Sequence, residues 1–243
     1  MEKGGIVLKP EVIGHIGSLA VTNTLFTSWL VTILLLVIGI AAGFRVKLVP
    51  SGLQNFMESI IEFFYATVED LAGERTKVIF PIVMTFFLYI IVGNYTGLLP
   101  LFGTIGFHTA DGFVPLLRSI NSDLNTTLAL ALISAVVTHA LAIRYLGIKD
   151  YLKRWVSLNP IFLFVGILEI VGEFTKVVSL SFRLFGNIFA GEVVISTISS
   201  MFAFLLPLPF YFLELIVGFV QAAVFMMLTL VFIVILTEKH ESH

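Results

Sequence analysis

Five apolar stretches, each long enough to cross a lipid bilayer, dominate this sequence. A helix needs roughly 20 apolar residues to span the hydrocarbon core. The composition agrees, because 58% of the residues are hydrophobic, 12% are charged and the mean hydropathy is +1.04. We therefore predict an all-α integral membrane protein, a single membrane domain over 1–243, with five transmembrane helices at 24–44, 78–99, 125–147, 159–201 and 208–237.

The stretch between the first two apolar segments has an amphipathic pattern instead. Acidic residues fill much of one side, and apolar residues recur at helical spacing on the other: Leu53, Met57, Ile60, Ile61, Phe64, Val68 and Leu71. This pattern is typical of a helix lying on a membrane surface, and we predict an amphipathic interfacial helix over 50–75. Residues 1–23 form an outer N-terminal segment without a continuous apolar core, so we expect no cleaved signal peptide.

The placement of Lys and Arg predicts how the chain is oriented in the membrane. With the N-terminus outside, the outer side carries only Lys3, Lys9 and Arg118. The inner side then carries nine basic residues: Arg45, Lys47, Arg75, Lys77, Arg144, Lys149, Lys153, Arg154 and Lys239. With Lys176 and Arg183 inside the membrane, these account for all 14. Because Lys and Arg favour cytoplasmic loops, we predict the N-terminus outside and the C-terminus in the cytoplasm.

The last two apolar segments are longer than a bilayer requires. Residues 159–201 would extend about 64 Å as a helix, whereas the hydrocarbon core is about 30 Å thick. Such a helix must tilt, kink or extend along a partner. With 208–237, it is expected to form a long tilted hairpin that packs against something outside this chain.

Arg183 interrupts the fourth apolar segment near its middle. An Arg keeps its charge in a protein and costs about 2.5–3.5 kcal/mol at the centre of a membrane helix. At about 100° per residue, its helix face also carries polar and small residues: Glu169, Gly172, Lys176, Ser179, Asn187 and Ala190. Glu169 lies roughly 21 Å away along the axis, too far to neutralise Arg183. We therefore predict a functional role for Arg183.

Several neighbours of Arg183 also have a structural interpretation. Small and polar residues hold membrane helices together, which applies to Gly172, Ser179, Ser181, Gly186 and Gly191. Lys176 either extends its amine to the interface or pairs with Glu169 or Glu173.

The geometry of the last hairpin predicts which residues face each other across it. A turn centred near residues 203 and 204 places Glu192 opposite Glu214, and Asn187 opposite Gln221. The two acids then lie about 13 Å outward of Arg183, and the two amides lie near it. Further acids lie inward, at Glu169 and Glu173. Ionisable groups thus approach Arg183 from both sides without forming one line, as a split ion path requires.

Four stretches resemble one family. SLSFRLFGNIFAGEVV, around Arg183, resembles the signature of subunit a of F-type ATP synthases, the membrane stator of an ion-driven rotor. ELIVGFVQAAVFMMLTLVF resembles the last helix of that family, SDLNTTLALAL the start of its fourth helix and NYTGLLP the end of its third. The matches occur in order and cover most of the chain after residue 50.

The resemblance implies roles for individual residues. Arg183 would be essential and face a ring of c subunits, each with one carboxylate. Glu192, Glu214, Asn187 and Gln221 would belong to an outer half-channel and polar gate. Because the hairpin geometry places the two acids close together, we also expect them to share a proton and titrate as a pair. Asp123 would lie at the channel mouth, or else cap a helix with Ser122 and Asn125. The remaining path candidates are Glu169, Glu173, Lys176, Ser179 and His139, although His139 also fits a packed, hydrogen-bonded helix position.

The resemblance also implies partners and a location. These are the c-subunit ring, the b subunits of the peripheral stalk, membrane lipid and a translocated H⁺ or Na⁺, in a bacterial plasma membrane. The net charge of −2 does not fit a nucleic-acid partner. The chain lacks a G-x-x-x-x-G-K-[ST] loop and any cysteine. We expect no nucleotide, cofactor or metal site on it and no enzymatic activity by the chain alone.

Two other hypotheses fit the apolar pattern. An independent secondary transporter would show internal repeats or broken helices around a central pocket, and we find no repeat. A membrane scaffold would leave the charge of Arg183 unexplained.

Overall fold

Helices make up most of the described chain. The computed structural model describes residues 10–43, 52–99, 105–109, 112–155, 160–201 and 205–238. Its helices are α1 (Asn23–Gly43), α2 (Leu53–Ala72), α3 (Thr76–Leu98), α4 (Leu124–Leu146), α5 (Ile148–Trp155), α6 (Pro160–Met201) and α7 (Leu208–Thr237). We call the end of the bundle that holds the starts of α1, α4 and α7 the outer end, and the opposite end the inner end.

Some sequence predictions lie outside the described residues. These are residues 1–9 of the expected outer segment, residues 44 and 159 at the ends of two expected spans, the first two residues of the expected interfacial segment and the centre of the turn before α7. The basic residues Arg45, Lys47 and Lys239 and the side chains of Lys153 and Arg154 also lie outside the description.

Two short β-hairpins correct the prediction of an all-α chain. Strand β1 (Val12–Ile16) pairs with β2 (Leu19–Thr22) just before α1, and β3 (Gly106–Thr109) pairs with β4 (Gly112–Pro115) between α3 and α4. Gly17 permits the first turn because its φ of 62° is readily adopted only by glycine. The strands have four or five residues, too few for a clear alternating pattern. The chain is therefore mostly helical, with two small antiparallel sheets at its outer end.

Four described segments are long and apolar enough to cross a membrane: Asn23–Gly43, Gln54–Leu98, Leu124–Leu146 and Leu208–Thr237. The second contains α2, a 3₁₀ turn at Gly73–Arg75 and α3. Helix α6 is not among the four, and it carries acidic and basic side chains along much of its length. The fold is that of a helical integral membrane protein, and the fifth span expected at α6 stays a prediction.

The core lies where α7 packs against α3 and α4. The fully buried side chains of α7 recur at helical spacing: Phe225, Met226, Leu230 and Ile233. Phe86 of α3 packs against Phe225 with ring centroids 5.5 Å apart. Polar contacts fix the level of α7 on α3, because Asn94 Nδ2 donates to the Gly218 carbonyl at 2.9 Å.

Helix α2 packs partly against the core. Its buried side chains are Phe64, Val68 and Ala72, and the rings of Phe64 and Phe87 lie 4.4 Å apart. Phe56 and Phe63 remain exposed on its other side. The amphipathic pattern therefore reflects one face packed on the bundle and one exposed face that is only partly apolar.

Helix α6 buries one face against its neighbours through Leu180, Leu184 and Ile188, at i, i+4 and i+8. Ser181 lies on the buried side and shares a 3.1 Å hydrogen bond with Thr127 of α4. This contact supports the structural interpretation of Ser181. The side of α6 that carries Arg183 remains uncovered by the described chain.

Candidate ion-path site

Arg183 is an exposed side chain near the middle of α6. Its Nη2 donates to the Ser179 hydroxyl, 3.4 Å away and one turn earlier on the same helix. Within the described part of the chain it makes no ion pair. The guanidinium is therefore presented on the surface of α6 rather than neutralised inside the bundle.

The face around Arg183 is a continuous exposed stripe. Ser179, Asn187 and Ala190 are exposed with it, and Glu169, Gly172 and Lys176 continue the stripe inward as half-buried residues. The neighbouring Phe182 is 54% exposed. In a membrane helix, a charged and polar stripe of this kind requires a partner, because lipid does not solvate it.

Asn187 connects the stripe to α7. Its Nδ2 donates to Gln221 Oε1 at 2.8 Å, so these amides face each other as the hairpin geometry predicted. Gln221 is buried, and its Nε2 has no hydrogen-bond partner among the described residues. One amide pair therefore bridges α6 and α7 about one turn outward of Arg183.

Glu192 and Glu214 lie at one level further outward. A Cβ built on Gly191 would collide with the carboxyl group of Glu214, which places that group directly on α6 beside Glu192. Glu192 is half-buried, and Arg118 and Glu214 lie close enough for their charges to act on it. No hydrogen bond joins the two carboxyl groups in the described chain, and the expected sharing of a proton between them stays a prediction.

Arg118 is a residue of this site that sequence reasoning missed. It lies in the segment between β4 and α4, and its Nε donates to Ser122 Oγ at 3.2 Å. Ser122 Oγ is also 2.9 Å from the Ser119 carbonyl. In the sequence analysis, Arg118 entered only the argument on membrane orientation, as a basic residue of an outer loop. The hairpin geometry of α6 and α7 contains no information about this loop.

Asp123 caps the start of α4. Its Oδ1 accepts from the Asn125 backbone N–H at 3.0 Å, and its Oδ2 accepts from the Thr24 hydroxyl at 2.9 Å. The residue is 5% exposed. The cap formed with Asn125 is as expected. Ser122 takes no part in this cap, because its hydroxyl contacts Arg118. A role for Asp123 at a channel mouth stays a prediction.

A polar cluster lies on the inner half of α6. Glu173 Oε1 accepts from Lys176 Nζ at 2.6 Å, and its Oε2 lies 3.8 Å from His139 Nε2. His139 Nδ1 shares a 3.1 Å hydrogen bond with the Tyr151 hydroxyl. Lys176 therefore has Glu173 as its partner, and His139 is packed and hydrogen-bonded. Glu169 is half-buried further inward on α6.

A narrow cleft opens beside this cluster, between α4, α6 and α7. Its lining includes Ser134, Thr138, Glu173, Lys176, Leu180 and Phe232. Leu180 is one turn inward of Arg183, so the cleft reaches close to the arginine from the inner side. The outer polar groups and this cleft are separated by the level of Arg183.

Fold and site together define a helical integral membrane protein with an exposed arginine at a level between two polar regions. A family model described as ATP synthase A chain matches residues 25–234. The chain is 32% identical over 233 residues to the ATP synthase subunit a of Moorella thermoacetica, covering 96% of this chain and 99% of that protein. It is 36% identical over 231 residues to that of Geotalea uraniireducens, covering 93% and 91%, and 35% identical over 231 residues to that of Geobacter sulfurreducens, with the same coverage. The chain belongs to the ATP synthase A chain family.

Proposed function

We propose that this chain is the ion-translocating stator subunit of a rotary F-type ATP synthase. The observation that carries the proposal is the exposed Arg183, which has no ion-pair partner among the described residues of its own chain. A permanent charge in a membrane helix requires a counter-charge, and here the counter-charge would come from a partner. Family membership and the names of the curated relatives support a rotor of c subunits as that partner.

The chemistry of Arg183 follows from the cost of charge in lipid. A c-ring carboxylate must be neutral to turn through lipid, because an ionised carboxylate there is too costly. Beside Arg183 the ionised form is favoured, since the adjacent cation stabilises it. The carboxyl releases its ion into one half-channel before it passes Arg183 and takes up another from the other half-channel afterwards. The fixed charge also blocks direct passage of cations between the half-channels.

The two polar regions supply the half-channels of this proposal. Glu192, Glu214, Asn187 and Gln221 form the outer one, with Asp123 at its mouth. The inner one is the cleft beside Glu173, with the other inner-side candidates Lys176, Ser179, Glu169 and His139. Each unit charge that crosses gains about 2.3 kcal/mol per 100 mV of membrane potential, and ring rotation carries this energy to the site of ATP synthesis.

The topology completes the proposal. Helices α1, α3, α4, α6 and α7 span the membrane within a single membrane domain, and α2 lies at the inner interface. The N-terminus is outside and the C-terminus is in the cytoplasm of a bacterial cell. The partners are the c ring, the b subunits of the peripheral stalk and lipid. The ion is H⁺ or Na⁺, because the selecting ligands would lie on the c ring.

Substitution of Arg183 in the assembled complex tests this function. Arg183→Ala should abolish both ATP-driven ion pumping and ion-driven ATP synthesis in membrane vesicles. Arg183→Lys should also fail, because an ammonium lacks the planar fork and loses its proton when desolvated. Arg144→Gln, at the inner end of α4, is the control with one basic residue removed elsewhere and should couple normally. Coupled synthesis at half the wild-type rate in Arg183→Ala vesicles would contradict the proposal.

The secondary-transporter hypothesis predicts a different result with isolated protein. The purified chain, reconstituted without a c ring, would then move ions by itself. The stator proposal expects no ion transport until the ring is added.

A further inference from the structure

We propose that His139 is a proton-relay residue of the inner half-channel, which carries a proton between the cleft beside Glu173 and the inner water beside Tyr151. This inference rests on the proposed function and deepens it, because it names the residue through which the inner half-channel opens to water. It also narrows the translocated ion to H⁺, since an imidazole ring can carry a proton but not Na⁺.

The imidazole of His139 lies between two helices other than its own. On its Nε2 side, α6 contributes the Glu173 carboxylate, whose Oε2 is 3.8 Å away. On its Nδ1 side, α5 contributes the Tyr151 hydroxyl, which shares a 3.1 Å hydrogen bond with the ring. The two ring nitrogens therefore face different groups. A ring placed in this way can bind a proton at one nitrogen and release one from the other.

The two sides of the ring also differ in what they connect to. Glu173 is part of the wall of the cleft between α4, α6 and α7, which extends to Leu180, one turn inward of Arg183. Tyr151 belongs to the short helix α5 at the inner end of the bundle, and the residues on either side of it are exposed. The His139 side chain itself is 27% exposed. The ring therefore connects the cleft with the inner surface.

An ion pair sets the charge next to the ring. Lys176 Nζ donates to Glu173 Oε1 at 2.6 Å, and the same ammonium lies 4.8 Å from the centroid of the Phe232 ring of α7. The next acid on α6, Glu169, lies one turn further inward. The Glu173 carboxylate favours a positively charged imidazole beside it, whereas Lys176, a like charge, disfavours it. Because these two influences oppose each other, the ring can bind a proton and also give it up.

The relay has a balanced sequence of proton transfers. In ATP synthesis, a proton released from the c ring into the cleft binds at Nε2 of a neutral ring whose Nδ1–H donates to the Tyr151 hydroxyl. The Nδ1 proton then leaves to the inner water, and the ring is neutral again with its proton on Nε2. Exchange with water restores the first tautomer, so one proton enters and one leaves. ATP-driven pumping uses the same steps in reverse order.

Proton uptake from the inner side tests this assignment in the assembled complex. In inverted membrane vesicles the inner face of the complex is accessible, and ATP-driven pumping draws its protons from that side. His139→Gln keeps a polar side chain of similar size but cannot relay a proton. At low buffer concentration its initial pumping rate should fall about tenfold, because only a slower route through water remains. The control Arg144→Gln should pump at the wild-type rate.

Chemical rescue separates a relay from a structural role. Carnosine, an imidazole dipeptide that does not cross the membrane, should restore most of the pumping rate of His139→Gln when it is added at the inner face. Glycine, which does not buffer near neutral pH, should not. Trp155→Phe is the matched control, because the Trp155 ring centroid lies 5.9 Å from that of His139 and the substitution alters only the packing of the imidazole. Any loss in Trp155→Phe should not respond to carnosine.

Wild-type pumping by His139→Gln would overturn this inference. So would a loss that carnosine fails to restore, or one that it restores equally in Trp155→Phe. Transport of Na⁺ in place of H⁺ by the unsubstituted complex would overturn it as well. Each of these results would leave the stator function intact, because that function is tested separately by the loss of coupling in Arg183→Ala.

Discussion

The side-chain amides of Asn187 and Gln221 meet across the last helix pair at 2.8 Å, one turn outward of Arg183. This contact fixes the register of α6 on α7, and it can be tested directly because the chain has no native cysteine. The double variant Asn187→Cys/Gln221→Cys should crosslink through a short bifunctional thiol reagent. The pair Asn187→Cys/Glu214→Cys is the control, because residue 214 lies about 10 Å further outward along α7. Efficient crosslinking of the control pair alone would show that the register is wrong by two turns.

Gly191 controls the position of the Glu214 carboxyl group. In Gly191→Ala, the added methyl group would occupy the space of that carboxyl, so the flexible Glu214 side chain must swing away. We expect the complex to assemble with a stability loss of at most about 1–3 kcal/mol, and coupled ATP synthesis to fall severalfold. Gly39→Ala in α1 is the matched control, because a methyl group there meets nothing within 4 Å. Equal rates in both variants would show that the position of Glu214 does not matter for transport.

Two substitutions at Asp123 can separate its role as a helix cap from its proposed role in the ion path. Asp123→Ala removes the cap of α4 and the bond to Thr24, which should cost about 1 kcal/mol of stability. Asp123→Asn keeps an oxygen for the cap with Asn125, and its amide N–H can donate to the Thr24 hydroxyl oxygen, but it cannot carry a proton. If Asp123 only caps the helix, thermal stability and ATP synthesis should both recover in Asp123→Asn. Recovery of stability without recovery of synthesis would instead assign Asp123 to the ion path.

The exposed stripe on α6 predicts where the c ring binds. Single cysteines at Ser179, Asn187 and Ala190 should crosslink to c-subunit cysteines placed near the ring carboxylate. Leu184→Cys is the control, because Leu184 is fully buried against the rest of this chain. Crosslinks from Leu184→Cys and none from the stripe positions would mean that α6 is rotated relative to the structure.

The positions of the long helices could be predicted from the sequence because the signal is local. A run of about 20 apolar residues has few alternatives to a membrane helix, since its backbone polar groups must bond within the segment. The expected segment 208–237 and the observed α7, Leu208–Thr237, have the same bounds, and α4 begins and ends within one residue of its prediction. The short β-hairpins were missed because strands of four or five residues carry too little alternating pattern.

The hairpin contacts could also be predicted, since α6 and α7 are adjacent in the chain. The position of the turn between the two helices and the rise per residue of a helix were sufficient to pair Asn187 with Gln221. Contacts between distant segments could not be inferred in this way. The ion pair of Glu173 with Lys176 lies within one turn, whereas the approach of His139 to Glu173 depends on how α4 packs on α6.

The sequence by itself determined that this chain is a membrane protein with an unneutralised arginine in an overlong helix, because hydropathy and helical spacing are properties of neighbouring residues. Only the tertiary structure decided which partners the outer acids have. Arg118 contacts Ser122 just before α4, close enough for its charge to act on Glu192, and the Glu214 carboxyl group lies against α6 at Gly191. The approach of Arg118 to these acids depends on packing between segments far apart in the chain, whereas the level of Glu214 follows from the local hairpin of α6 and α7.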